Sequence, residues 1–195
     1  SALLSEALDA GLPVLATYGS TETCSQVATV APGEQAEAMG TAGRALEGFE
    51  VRVGDDGRIE VRGPAVATEV LEGPFRGEDE WLQMGDLGRW DGSGRLVIEG
   101  RADRVIVTGG VNVHPESVES ALSRHPAIAD VHVSGVPDSD WGTAVTAEVV
   151  VATGARFDEA AVAAWARARL SGPQVPKRWL VVDHIDRTEL GKHRA

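Results

Sequence analysis

The sequence predicts a multi-part α+β chain: the end of an α/β domain, a small β-rich, barrel-like subdomain, and a C-terminal α+β domain. Three observations predict it: an apolar helix feeding one strand, two turn-punctuated hairpins between residues 40 and 100, and helical periodicity returning after Arg101. The corresponding domain ranges are 1–34, 35–102 and 103–195.

Residues 1–10 carry Leu3, Leu4, Ala7 and Leu8 at helical spacing, and Gly11 stops that helix. Residues 12–17 read as a short buried strand ending at Tyr18. A helix feeding one strand is half of a parallel-sheet unit, so the expectation is that the chain begins inside a larger domain. Leu3, Leu4, Leu8 and Val14 would then be exposed unless covered, leaving room for a homodimer or a second chain.

The β-rich stretch follows. Val51-Arg52-Val53 and Ile59-Glu60-Val61-Arg62 flank Gly54-Asp55-Asp56-Gly57; Trp90 and Leu96-Val97-Ile98 flank Asp91-Gly92-Ser93-Gly94. Gly63-Pro64 and Gly73-Pro74 suit a tightly turned barrel or sandwich. Beyond Arg101, strand-like Val105-Ile106-Val107 precedes a helix with Pro115 at its first position, Val118 and Leu122 inward, and an end at His125-Pro126. Strands are expected over 128–136 and 144–152. A second helix has Asp158 as N-cap, a Phe157–Val162 staple, Trp165 and Leu170 inward, Arg167 and Arg169 near its end, and Gly172-Pro173 as a stop. Residues 179–183 form the last strand.

Composition excludes several function classes. The 195 residues, 43% apolar and 25% charged, can bury a substantial core. A net charge of −12 disfavours a general nucleic-acid or anionic-membrane surface, which needs clustered Lys and Arg. The single cysteine, Cys24, cannot form an internal disulfide, and without CxxC or HExxH spacing no zinc site is expected. With no secretory leader and no apolar run of membrane length, the expected location is cytoplasmic.

Chemistry concentrates in a few places. In Tyr18-Gly19-Ser20-Thr21-Glu22 a glycine permits close backbone approach, a hydroxyl can reach a phosphate, and a carboxylate can hold Mg²⁺; a polar-capped strand-to-loop turn is the plain alternative. Tyr18 reads either as core or as a ring that stacks on a base. Asp86, after Gly85 and before a hairpin, can accept ribose hydroxyls or cap an Asx-turn. Gly100-Arg101-Ala102-Asp103-Arg104 reads as a hinge or a solvated linker, and Thr108-Gly109-Gly110 as a ligand approach or a β-turn. Lys192, on a glycine turn, offers an ammonium to a negatively charged reaction centre; His193 in place of Ser or Thr rules out a Walker loop.

In this order, Tyr18-Gly19-Ser20-Thr21-Glu22, Trp81-Leu82-Gln83-Met84-Gly85-Asp86-Leu87-Gly88, Gly100-Arg101-Ala102-Asp103, and Arg187-Thr188 with Gly191-Lys192 and Arg194 resemble the adenylate-forming superfamily of acyl-CoA synthetases, peptide-synthetase adenylation domains and luciferases. Thr23-Cys24-Ser25-Gln26 and the run from Val105 through Thr108-Gly109-Gly110 to Val113 are most similar to the o-succinylbenzoate–CoA ligases of menaquinone biosynthesis.

The resemblance implies an ATP-dependent acid–CoA ligase, of which this chain is a C-terminal part with the upstream portion as a partner. It implies that Tyr18 faces adenine, that Gly19 and Ser20 belong to the nucleotide site, that Thr21 meets a phosphate, and that Glu22 holds Mg²⁺. Asp86 and Arg101 would hold the ribose, Asp103 would be the hinge of a mobile lid, Gly109 and Gly110 would border the CoA channel, and Lys192 would serve the first half-reaction. ATP/AMP, Mg²⁺, CoA and a carboxylic acid are the implied ligands. Departures from the family pattern are Met84 for Thr, Val107 for Lys, Ser117 for Glu and Asp186 for Pro, and the upstream phosphate loop is not in the chain. Other readings are a different acyl- or aryl-CoA ligase, a peptide-synthetase adenylation domain, and a non-catalytic acyl-adenylate-binding module.

Overall fold

A computed structural model describes residues 2–70, 73–74 and 80–186. The chain divides into two compact units, one over Leu3–Asp103 and one beginning at Arg104.

The first unit opens with α1 (Ala2–Asp9), which stops where Gly11 takes φ +75°. The expected strand is displaced. Residues 12–16 pair in no described sheet, Leu12 is 54% exposed, and the strand proper is β1 (Thr17–Ser20). It pairs antiparallel with β2 (Ser25–Thr29), not in a parallel sheet. The apolar run Leu12-Pro13-Val14-Leu15 misled the reading: Leu4, Leu8 and Val14 are half-buried around Ala16, Val30 and Ala38, so that packing uses its apolar character and Thr17–Ser20 takes the hydrogen bonds. The same packing means that Leu4, Leu8 and Val14 are not left open as expected.

β3 (Arg44–Ala45) completes a three-stranded sheet in the order β1-β2-β3. β4 (Glu50–Val53) and β5 (Arg58–Arg62) form the first expected hairpin, with Gly57 at φ +80° and Asp56 accepting the Arg58 N–H. Two short strands, β6 (Glu69–Val70) and β7 (Gly73–Pro74), pair with each other. β8 (Leu82–Trp90) and β9 (Leu96–Arg101) form the second hairpin, whose turn closes because Asp91 Oδ1 accepts the N–H groups of Ser93 and Arg95, each at 2.8 Å. The hairpins join through β5 and β8 into one antiparallel sheet, β4-β5-β8-β9. Leu96 exchanges backbone hydrogen bonds of 2.7 Å with Ala42 and Gly43, just before β3, linking the two larger sheets. Tyr18, Val27 and Ala28 accordingly share one core with Ile59, Val61, Met84 and Leu96.

In the second unit β10 (Ile106–Thr108) and β11 (Val111–Val113) form a hairpin, and β11 is a strand that sequence reading missed. α2 (Pro115–Leu122) starts at Pro115 as expected and ends at Leu122, before His125-Pro126. β12 (Ile128–Asp138), β13 (Gly142–Val151) and β14 (Arg178–Val181) form a sheet in that order, with β14 parallel to β13. α3 (Glu159–Arg167) is capped by Asp158, which accepts the Ala161 N–H. Gly172-Pro173 opens a 3₁₀ turn, Gly172–Gln174. The helices bury Val118, Leu122, Val162 and Ala166 against Val131, Val133, Val145, Ala147 and Val149 of one sheet face. Each of these valines and Leu122 contributes roughly 1.5–3 kcal/mol on burial, the alanines less. No helix among the described residues is long and apolar enough to cross a membrane.

Candidate active site

β1 runs into a single 3₁₀ turn, Thr21–Thr23, and returns as β2. The return is so tight that a Cβ on Gly19 would lie 1.9 Å from the Ser25 carbonyl oxygen and 2.6 Å from Gln26 Cα, so only glycine fits. The ladder bulges between Tyr18 and Gly19, which re-aims the residues that follow. Thr23 ties the loop from inside. It is 1% exposed, its hydroxyl oxygen accepts the Ser20 N–H at 2.9 Å, and the hydroxyl lies 2.7 Å from the Ser25 carbonyl, to which it donates. Cys24 closes the turn at φ +57°, and the Glu22 carbonyl accepts the Ala67 N–H at 2.7 Å. Thr21 and Glu22 stand exposed, and an open pocket is lined by Gly19, Ser20, Thr21 and Gln26. The Ser20 hydroxyl, buried at its oxygen, has no hydrogen-bond partner among the described residues.

Tyr18 is 8% exposed, and its hydroxyl donates to Asp86 Oδ2 at 2.8 Å. Asp86 is neither a cap nor an Asx-turn residue, as one reading had it. It sits within β8, in register with Arg101 of β9. The Arg101 guanidinium reaches Asp86 Oδ1 at 3.7 Å and binds the Asp103 carboxylate through two hydrogen bonds of 3.1 Å. Gly85 makes room for it, since a Cβ there would lie 2.7 Å from the guanidinium nitrogens. Burial, reinforced by the neighbouring Asp86 charge, pushes the Tyr18 phenol well above its ordinary value. The hydrogen bonds to Asp103 raise Arg101 further, against the opposing effect of partial burial. Four of the residues singled out in the sequence, Tyr18, Asp86, Arg101 and Asp103, thus form one chain of contacts.

Gly109 and Gly110 are the two central residues of the β10–β11 turn, with φ of +55° and +79°, the type I′ geometry of a tight hairpin. The Gly109 N–H donates to the Trp141 carbonyl at 3.0 Å, and the Trp141 ring is so close that a Cβ on Gly109 would lie 3.1 Å from it. Asp138 holds the Trp141 loop by accepting the N–H groups of Asp140 and Trp141 and one bond from Arg178.

Sequence reading took Arg104 only as part of the hinge or linker segment 100–104 and passed over Glu119. Arg104 gives one nitrogen to Glu116 at 2.9 Å and another to Glu119 at 3.0 Å; Glu119 also accepts the Val133 N–H at 2.9 Å and lies 3.3 Å from His132 Nδ1. Burial alone would raise the Glu119 carboxyl, but the contacts from His132, Val133 and Arg104 prevail and hold it at about 2. The available signal was the Glu116/Glu119 spacing on one helix face. Thr23 was passed over too, although it stands three residues after Ser20, a capping distance. Lys192, with Arg187, Thr188, Gly191 and Arg194, lies outside the described residues. No group of three His, Cys, Asp or Glu able to hold a metal exists among the described residues.

Residues 117–192 match the AMP-binding enzyme C-terminal domain. The chain is 36% identical to the 2-succinylbenzoate–CoA ligase of Bacillus licheniformis over 97% of its own length and 42% of that relative. It is 35% identical to the indoleacetate–CoA ligase of Aromatoleum aromaticum over 98% of its length and 40% of that protein. The o-succinylbenzoate CoA synthetase of Bacillus subtilis has been solved with its acyl-adenylate intermediate and with ATP and magnesium ion. It aligns with TM-scores of 0.88 and 0.86 at 33% and 32% identity, covering 98% of this chain and 42% of that one. The chain thus spans about two-fifths of the relatives it matches, and its second unit carries the AMP-binding enzyme C-terminal domain over residues 117–192.

Proposed function

We propose that this chain is the C-terminal part of an ATP-dependent acid–CoA ligase acting in the cytoplasm, and that its acid is o-succinylbenzoate. The convergence of Tyr18, Asp86 and Arg101 on the strand that leads into the Thr21–Thr23 turn carries this reading. An aromatic ring, a carboxylate and a phosphate-ready loop in that order suit adenine, ribose and phosphate. The identity to 2-succinylbenzoate–CoA ligases supports the choice of acid.

In the first half-reaction the substrate carboxylate oxygen attacks the α-phosphorus of ATP and the bond to pyrophosphate breaks, leaving an acyl-adenylate. In the second, the CoA sulfur attacks the acyl carbon, AMP departs with the bonding electrons, and the thiol proton passes to solvent. Tyr18 presents its ring to adenine, and the Asp86 carboxylate retains lone pairs for ribose hydroxyls beside the one that Tyr18 occupies. Arg101 holds Asp86 in place, while the Thr21 hydroxyl and the rigid backbone around Gly19 and Ser20 orient the phosphates. Glu22, one exposed carboxylate beside an exposed hydroxyl, fits Mg²⁺, which takes one or two carboxylates plus substrate phosphates; when bound, the ion offsets phosphate charge. Lys192 neutralises charge as the two anions meet.

The three-part division 1–34, 35–102 and 103–195 belongs to the same reading. Asp103 is the hinge about which the second unit turns between half-reactions, after which Gly109 and Gly110 admit the thiol. The nearly equal identity to an indoleacetate–CoA ligase favours a second reading, an aryl acid other than o-succinylbenzoate.

Pyrophosphate release by the polypeptide extended upstream to the length of its relatives, with o-succinylbenzoate, indoleacetate, benzoate and fatty acids in turn, tests both readings. Preference for o-succinylbenzoate supports the first and preference for indoleacetate the second. Binding of a non-hydrolysable acyl-AMP mimic without turnover of any acid would make the protein a binding module.

A further inference from the structure

We propose that Arg104 is a positioning residue that fastens the start of the second unit to α2 and β12, and so confines the pivot to the backbone at Asp103. This rests on the hinge reading above.

The unit boundary falls between Asp103 and Arg104, within the 3₁₀ turn Ala102–Arg104. An arginine–carboxylate contact stands on each side of it, and the two differ in kind. On the first side Asp103 meets Arg101, with side chains 67% and 49% exposed. Such an exposed pair is worth little in water and is given up easily. On the other side Arg104, 28% exposed, divides its guanidinium between Glu116 and Glu119, with the Val133 carbonyl at 3.4 Å. Glu119 is itself fixed by the Val133 N–H. One side chain therefore ties the first residue of the unit to α2 and to β12, in forked geometry that lysine cannot reproduce.

Backbone freedom is thereby asymmetric. A turn at Asp103 disturbs the exposed pair with Arg101, whereas a turn beyond Arg104 would dismantle a half-buried network. The clamp fixes the path from the pivot to the Gly109-Gly110 turn, five residues onward, and thus where that turn arrives after rotation. Without Arg104 the pivot would spread into residues 104–105, and the arrival point would blur.

Double electron–electron resonance on the whole chain, with spin labels at Asp55→Cys and Glu159→Cys in a Cys24→Ser background, tests this; Asp55 and Glu159 are exposed, one in each unit. Arg104→Ala is expected to broaden the distance distribution while amide protection in β13 stays at its original level, and Arg104→Lys to fail to restore the original width. Asp103→Pro, which fixes φ near −65°, is expected to narrow it. A distribution for Arg104→Ala that superimposes on the parent, with Asp103→Pro still narrowing it, overturns the clamp and leaves the hinge standing. Insensitivity to Asp103→Pro overturns the hinge reading itself. Should Arg104→Ala cost β13 its protection, Glu116→Gln, which disturbs only the outer partner, takes its place: broadening supports the clamp and an unchanged width overturns it.

Discussion

The Tyr18 hydroxyl donates to Asp86 Oδ2 at 2.8 Å across 68 residues of sequence, joining β1 to the middle of β8. Tyr18 is the only tyrosine in the chain, so tyrosinate absorbance reports this one contact. The raised phenol has a definite sign. A group that binds its proton more tightly when folded contributes stability that is complete below its unfolded value of 10.0 and is lost as pH rises above it. Tyrosinate is therefore expected to appear only above that value, together with loss of first-unit structure, and Tyr18→Phe to remove that alkaline dependence. Titration near 10.0 in a chain that stays folded would contradict the contact.

Thr23→Val removes the hydroxyl that bridges Ser20 and Ser25 but touches no proposed ligand atom. Stranding the Ser20 N–H and the Ser25 carbonyl is expected to cost about 1–3 kcal/mol. It should also weaken binding of an acyl-AMP mimic, with Thr23→Ser restoring both. Denaturant unfolding and calorimetry check this; undiminished affinity would show that the loop is not organised from within.

Glu119 carries an acid dependence of opposite sign. Its depressed folded value means a contribution present above the usual 4.5 and lost as pH falls toward about 2. Glu119→Gln should remove stabilisation on the order of 3 kcal/mol at neutral pH. It should also flatten the acid limb of second-unit unfolding, read by circular dichroism across that range.

At Gly109, φ of +55° and the nearby Trp141 ring make any side chain costly. Gly109→Val is expected to slow thioester formation from supplied acyl-adenylate more than it slows pyrophosphate release. Equal slowing of both steps would remove Gly109 from the thiol path.

Local chemistry made some elements legible. Asp91-Gly92-Ser93-Gly94 and Gly54-Asp55-Asp56-Gly57 announce hairpins because their turns are built from their own side chains and positive-φ glycines. Asp158 announces α3 for the same reason. The displaced β1 and the missed β11 depended on which segment finds a hydrogen-bonding partner, which apolar content at Leu12 or Val111 does not state. The site divides likewise. Tyr18, Asp86 and Arg101 were visible as residue types in short motifs, whereas Thr23, Arg104 and Glu119 act through contacts that exist only once strands and helix have met.

Half-reaction kinetics of Lys192→Ala in the upstream-extended polypeptide measure directly the proposed division of labour between Lys192 and the residues around Tyr18, Asp86 and Glu22. Pyrophosphate release is expected to fall by about 10²–10³, the scale of losing one preorganised charge-stabilising donor. Thioester formation from supplied acyl-adenylate is expected to persist near its original rate. Equal loss in both steps, or no loss in the first, would contradict the account.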